Sequence, residues 1–102
     1  MGPEQTLSRA FASWTKANLP DHALAWKIHG GGMGANGKPD WMIVSMGMCL
    51  FIELKAPGKN PTPLQALCHE KIRGTYTPCV VCRSMDECRD AVHGFLCVEV
   101  GR

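Results

Sequence analysis

Three residues carry the chemistry this sequence offers: Asp40, Glu53 and Lys55, in "PDWMIV" and "LFIELKA". If Met46 and Gly47 form a two-residue turn, Ser45 opposes Met48, and the same register places Asp40 opposite Glu53. Opposed residues of an antiparallel pair share a face. Lys55 is two residues on from Glu53, so it shares that face too. Two carboxylates set against each other cost about 0.2–1 kcal/mol, and a divalent cation between them turns that repulsion into coordination. Oxygen donors of this kind suit Mg²⁺ or Mn²⁺. A one-residue slip would carry Asp40 to the opposite face, and Met46 is not a favoured residue for such a turn. Taken alone, "ELK" fits the wet side of an edge strand. Cys49 and Phe51 lie on the same face as Glu53 and Lys55, so that face is dry at one end and charged at the other, which a merely solvated surface does not need.

Elements on either side must hold these groups. Residues 3–18 have helical spacing at Leu7, Ala10, Phe11 and Trp14, with Pro3 in the first turn. "ALAWKIHG" reads as a strand with Leu24, Trp26 and Ile28 on one side. Strands follow from about Pro39 to Ser45 and over "CLFIELKA". Thr62, Pro63 and Gln65 start a second helix with a capping box, an apolar stripe at Leu64, Leu67, Cys68 and Ile72, and Gly74 at its end. "CVVCR" is a fourth strand. Ser84 and Glu87 announce another capping box, before a helix with Cys88, Ala91, Val92 and Phe95 inward. The alternation in "LCVEV" predicts a short edge strand at the end. The order is α-β-β-β-α-β-α, an α/β domain with a mixed central sheet and flanking helices.

Other motifs lead elsewhere and fall away. "GGGMGANGK" contains G-x-G-x-x-G and the start of a P-loop. Each works only between a strand and a helix. Here Pro39, which has neither hydroxyl nor N–H, takes the position of the P-loop Ser or Thr, and a strand follows. Glycine there leaves a permissive lead-in to Asp40, free to flex around a bent nucleic-acid backbone. Cys79 and Cys82 have C-x-x-C spacing, the basis of an alternative reading as a zinc or thiol protein. On a strand, however, residues three apart point to opposite faces, and no second C-x-x-C exists. Free thiols in a reducing cytoplasm account for the six cysteines.

The 102 residues predict one domain, 1–102. No apolar run approaches the ~20 residues of a membrane span, and no basic segment precedes an apolar core at the start. These features point to a cytoplasmic protein that does not enter a membrane. A net charge of +2 is too mild to identify a nucleic-acid partner. Lys38, Lys55, Lys59, Lys71 and Arg73 nevertheless cluster in or near the segments that carry the acids, where they suit phosphates.

"GKPDWMIV" followed by "LFIELKAPGKNPTPLQ" resembles the VRR-NUC domain of the PD-(D/E)XK nuclease superfamily, from Glu4 to about the third helix. The resemblance implies a stand-alone, phage-type nuclease in a bacterial host cell. It makes Asp40, Glu53 and the backbone carbonyl of Leu54 ligands of Mg²⁺ or Mn²⁺. Lys55 then orients water or stabilises charge at the phosphate, and Glu4 and Gln65 complete the catalytic set. Glu4 should face inward, on the stripe of Leu7 and Phe11, although an acid at a helix start is also favoured by the helix dipole. A capping box alone would explain Gln65, so a site role would require its side chain to change partner. His69 borders the site, whereas His22, His29 and His93 read as surface or packing residues. The implied activity is metal-dependent endonucleolytic hydrolysis of branched DNA, such as junctions or flaps, by a homodimer. The alternative in another class is a nucleic-acid clamp without catalysis.

Overall fold

The computed structural model of the chain describes residues 2–28 and 37–100, with side chains through residue 97. Its elements are α1 (Pro3–Asn18), β1 (Ala23–Lys27), β2 (Trp41–Ser45), β3 (Met48–Leu54), α2 (Pro63–Arg73), β4 (Cys79–Cys82) and α3 (Met85–Val100). The sheet order is β1-β2-β3-β4. The first three strands are antiparallel to their neighbours, and β4 runs parallel to β3. A parallel pair needs a crossover, and α2 supplies it. The mixed sheet with flanking helices is the architecture the sequence predicts.

The β2–β3 register follows from the turn. Met46 and Gly47 both have positive φ, 49° and 81°, as a two-residue type I′ hairpin requires. Met46 accepts the left-handed conformation at a cost of about 1–2 kcal/mol, and its side chain stays exposed. Ser45 pairs with Met48 and Trp41 with Ile52, but Asp40 does not go on to pair with Glu53. Its N–H also turns to the Ile52 carbonyl, at 3.1 Å, so Asp40 and Trp41 share one partner residue, as at a β-bulge.

Alternation then sorts the sheet into two faces. Trp41, Ile43, Leu50, Ile52 and Leu54 point into a core closed by Leu7 and Phe11 of α1 and by Cys88, Val92 and Phe95 of α3. Phe11 meets Trp41 edge-on, with ring centroids 5.2 Å apart and planes at 90°. Burying each large side chain of this set contributes about 1.5–3 kcal/mol. On the other face, α2 covers β3 and β4. Farther out, Leu24 and Trp26 of β1 stay exposed.

Three local expectations are corrected. The end of the chain does not form an edge strand, because α3 continues to Val100. Its inward positions Cys88, Val92 and Phe95 follow helical spacing, and no proline interrupts it. The second capping box is only half made. The Ser84 hydroxyl accepts from the Glu87 N–H at 3.1 Å, but the Glu87 carboxylate turns to the Arg83 N–H at 2.8 Å. In α2, Leu64 and Leu67 are 53% and 48% exposed, and His69 is the buried residue. Its inward stripe is Gln65, Cys68, His69 and Ile72. The polar stripe wins because α2 lies over Glu53, and a buried carboxylate requires hydrogen-bonding neighbours.

The C-x-x-C pair behaves as strand geometry demands. Cys79 pairs with Phe51 and Cys82 with Leu54, so the two thiols lie on opposite faces. Cys82 packs in the core beside Cys88. All six cysteines are free. No helix among the described residues is long and apolar enough to cross a membrane.

Candidate active site

Asp40 sits just before β2, held by its backbone on both sides. Its N–H donates to the Ile52 carbonyl at 3.1 Å, and its carbonyl accepts from the Ile28 N–H at 2.7 Å. Its carboxylate Oδ2 accepts from the Leu54 N–H at 2.7 Å, which turns the side chain along β3 toward Glu53. Glu53 is 1% exposed. Around its carboxylate lie the Lys55 ammonium, 3.7 Å from Oε2, the Gln65 amide nitrogen, 3.4 Å from Oε2, and His69 Nε2, 3.4 Å from Oε1. Asp40 and Glu53 share a hydrogen bond and Lys55 lies beside Glu53, so the three come together at the end of the sheet. Asp40 arrives through its contact with the Leu54 N–H and not by standing opposite Glu53, as the sequence register has it.

Burial first, then the charge of Asp40 and a hydrogen bond shared with it, and the charge of Glu4 together raise the Glu53 pKa from the ordinary carboxylate range to about 8, against the opposing pull of Lys55. Burial also lowers the His69 pKa, helped by the charges of Arg73 and Lys55. Strongly shifted groups gathered at one point mark sites of chemistry more often than simple packing.

The remaining predicted residues are placed as follows. Gln65 combines both roles without changing partner. Its Oε1 accepts from the Thr62 N–H at 2.9 Å, while its Nε2 reaches Glu53. The expectation that cap and site would compete overlooked the two ends of an amide. Glu4 is exposed rather than inward. At the start of α1 it nevertheless lines a cleft with Gln5, Ser8, Lys27, Asp40 and Leu54. His22 bonds to Ser45 at 2.8 Å, and His93 packs on Trp14 at 5.7 Å. Both are far from the site in sequence and structural role. His29 and Gly30–Asn36 lie outside the described residues.

Two site residues were not read as such from the sequence. Lys27, paired with Trp41, brings a second lysine to the cleft beside Asp40. The alternation of "ALAWK" could place it at a strand end but could not say what it would face. His69 was read only as a border residue, because the apolar leucines of α2 masked the inward side. Gly37 completes the assembly. It has φ +75°, and a Cβ there would fall 2.6 Å from the Leu64 carbonyl oxygen and 2.9 Å from the Gln65 nitrogen. The chain leading to Asp40 therefore rests its bare backbone on the first turn of α2.

A divalent metal fits this arrangement. Among the described residues no three His, Cys, Asp or Glu side chains converge as a ligand cage. Mg²⁺ does not need one, since it keeps several waters and takes one or two carboxylates. Glu53 Oε1 is buried without a hydrogen-bond partner, so the carboxyl group that meets Asp40 keeps acceptor capacity to spare. Asp40 and Glu53, with the Leu54 carbonyl, supply a donor set of hard oxygens.

Two solved structures share this fold. One, described as a VRR_NUC domain, aligns with a TM-score of 0.72 and 21% identity over 91% of this chain and 97% of its own. The other, a VRR_NUC domain protein, aligns with a TM-score of 0.75 and 20% identity over 92% and 88%. No family model and no curated protein matches the sequence. At these identities the likeness is one of fold: the chain has the mixed-sheet α/β architecture of the two VRR_NUC domain structures.

Proposed function

We propose that this chain is a single-domain, metal-dependent endonuclease that hydrolyses phosphodiester bonds of DNA. One observation carries the reading: a buried Glu53 faces Asp40, with the Lys55 ammonium 3.7 Å from its carboxylate. A buried carboxyl group set against a second one, with its pKa raised to about 8, is a costly arrangement for packing alone and a common one at sites of chemistry.

Asp40, Glu53 and the Leu54 carbonyl would hold Mg²⁺ or Mn²⁺. Such an ion would supply Lewis acidity, lowering the pKa of a water and offsetting negative charge at the phosphate. Lys55, fixed beside Glu53, orients the attacking water and steadies a phosphate oxygen. Gln65 donates to Glu53 and keeps Oε2 directed at the site. Glu4 and Lys27 border the cleft, where the lysine balances the acids and favours a phosphate backbone.

Recognition in this reading is by shape. No described element forms a base-reading module, and contacts to phosphates alone carry no sequence. Branched DNA, such as a junction or flap, suits such a site, and a homodimer would match the two-fold symmetry of a junction. The test is nicking of supercoiled and branched DNA with Mg²⁺, Mn²⁺ or EDTA. Wild type is expected to cut only with metal, while Asp40→Ala and Lys55→Ala bind without cutting. Cutting in EDTA, or full activity in both variants, overturns the mechanism.

A further inference from the structure

His69 occupies a position that neither the fold nor the register explains. It sits mid-helix in α2, is 1% exposed, and is the buried residue of that helix. A histidine confined this way needs its ring nitrogens satisfied. Its Nε2 nevertheless has no hydrogen bond of good geometry, and neither does Glu53 Oε1, which faces it at 3.4 Å. These are two of the three buried side-chain polar atoms without a partner among the described residues, the third being Trp41 Nε1. Two orphaned atoms that face each other at 3.4 Å without the alignment of a hydrogen bond form one unfinished pair.

The other oxygen of the same carboxylate is treated differently. Oε2 faces Gln65 Nε2 and Lys55 Nζ. Glu53 is thus gripped from two sides, by Gln65 and Lys55 at one oxygen and by the imidazole at the other. Gln65 and His69 are four residues apart, so one face of one helix presents both donors.

We propose that His69 is a positioning residue, whose Nε2–H donates to Glu53 Oε1 and fixes the carboxylate in the orientation that binds a divalent cation. The proposal rests on the metal-dependent reading of the site. A small rotation of Glu53 closes the gap, and ligation, which leaves the carboxylate ionised, makes it the stronger acceptor. Outer partners of metal ligands characteristically contribute about 10- to 100-fold in metal affinity.

Calorimetric titration of Mn²⁺ into the purified full chain, without DNA, tests this. The variants are His69→Leu, which fills the space without a donor, and His69→Gln, which returns an N–H near Nε2. Circular dichroism and thermal melting without metal establish that each is folded. The expectation is about 10- to 100-fold weaker Mn²⁺ binding by His69→Leu, with most of the affinity recovered by His69→Gln. A change confined to the melting temperature, with Mn²⁺ binding equal to wild type in both variants, overturns the proposal. Equal losses in two folded variants overturn it as well, because filling rather than donation would then matter. Should wild type itself bind no Mn²⁺, the metal-dependent reading fails, and the positioning role fails with it. Loss of binding in Asp40→Ala alone, with both His69 variants unaffected, leaves the metal site standing and removes only His69.

Discussion

Glu53 concentrates the electrostatics of the molecule, and its protonation has a measurable consequence for stability. In the metal-free protein its pKa is raised to about 8, against 4.5 ordinarily. The folded state therefore binds a proton that the unfolded chain releases. The stability associated with protonated Glu53 is fully present below the unfolded value and is lost as pH rises through about 8. Glu53→Gln, which stays neutral, should thus melt progressively higher than metal-free wild type as pH is raised from 5 to 8.5. Differential scanning at matched ionic strength reads this, and parallel pH profiles for the two proteins would contradict it. Saturating Mn²⁺ should reverse the trend in wild type, since ligation favours the ionised carboxylate and releases its proton.

At the scale of elements, the site depends on how three segments are brought together. Most of the register was readable because strand alternation is strict: once Met46 and Gly47 turn the chain, the pairs from Ser45–Met48 to Trp41–Ile52 follow. The break at Asp40, whose N–H turns to the Ile52 carbonyl, left no mark in the alternation. The inward side of α2 was not readable. Helical periodicity finds apolar stripes, and here the stripe that matters includes Gln65 and His69, buried because Glu53 lies beneath them. The end of α3 misled for a related reason, since five alternating residues mimic a strand when read apart from the helix they extend. Gly37 gives a sharp test of assembly. Gly37→Ala places a methyl group against backbone atoms of Leu64 and Gln65 at a positive φ. The expected loss is about 1–3 kcal/mol, or roughly 5–20 °C in melting temperature. DNA cutting should fall by more than the loss of folded protein explains, because the first turn of α2 carries Gln65. A variant with wild-type melting and activity would show that this close approach is unimportant.

For the whole molecule, the thiols report packing and separate the rival chemistry. Cys97 is exposed, Cys49 and Cys68 are half-buried, and Cys79, Cys82 and Cys88 are buried. Burial raises the Cys79 pKa to about 11, which keeps it from being a reactive thiolate. Native protein treated with a thiol-specific disulfide reagent should therefore label Cys97 first, and the buried three only after denaturation. Rapid native labelling of Cys79 and Cys82 together, or stoichiometric zinc by elemental analysis, would restore the C-x-x-C reading. Net charge makes a further statement. At +2, the DNA binding of the proposed function would rest on a few local lysines, and its affinity should fall with salt in proportion to the few phosphates they neutralise.

The amide of Gln65 has one last consequence. One end fastens the beginning of α2 at Thr62 and the other reaches the acid on β3, so a single side chain serves both a structural joint and a reactive centre. On the proposed function, a chain that has collapsed but not yet closed that joint would lack the Gln65 contact to Glu53 and with it a complete site. Evolution, for its part, cannot alter this glutamine to adjust one role without disturbing the other.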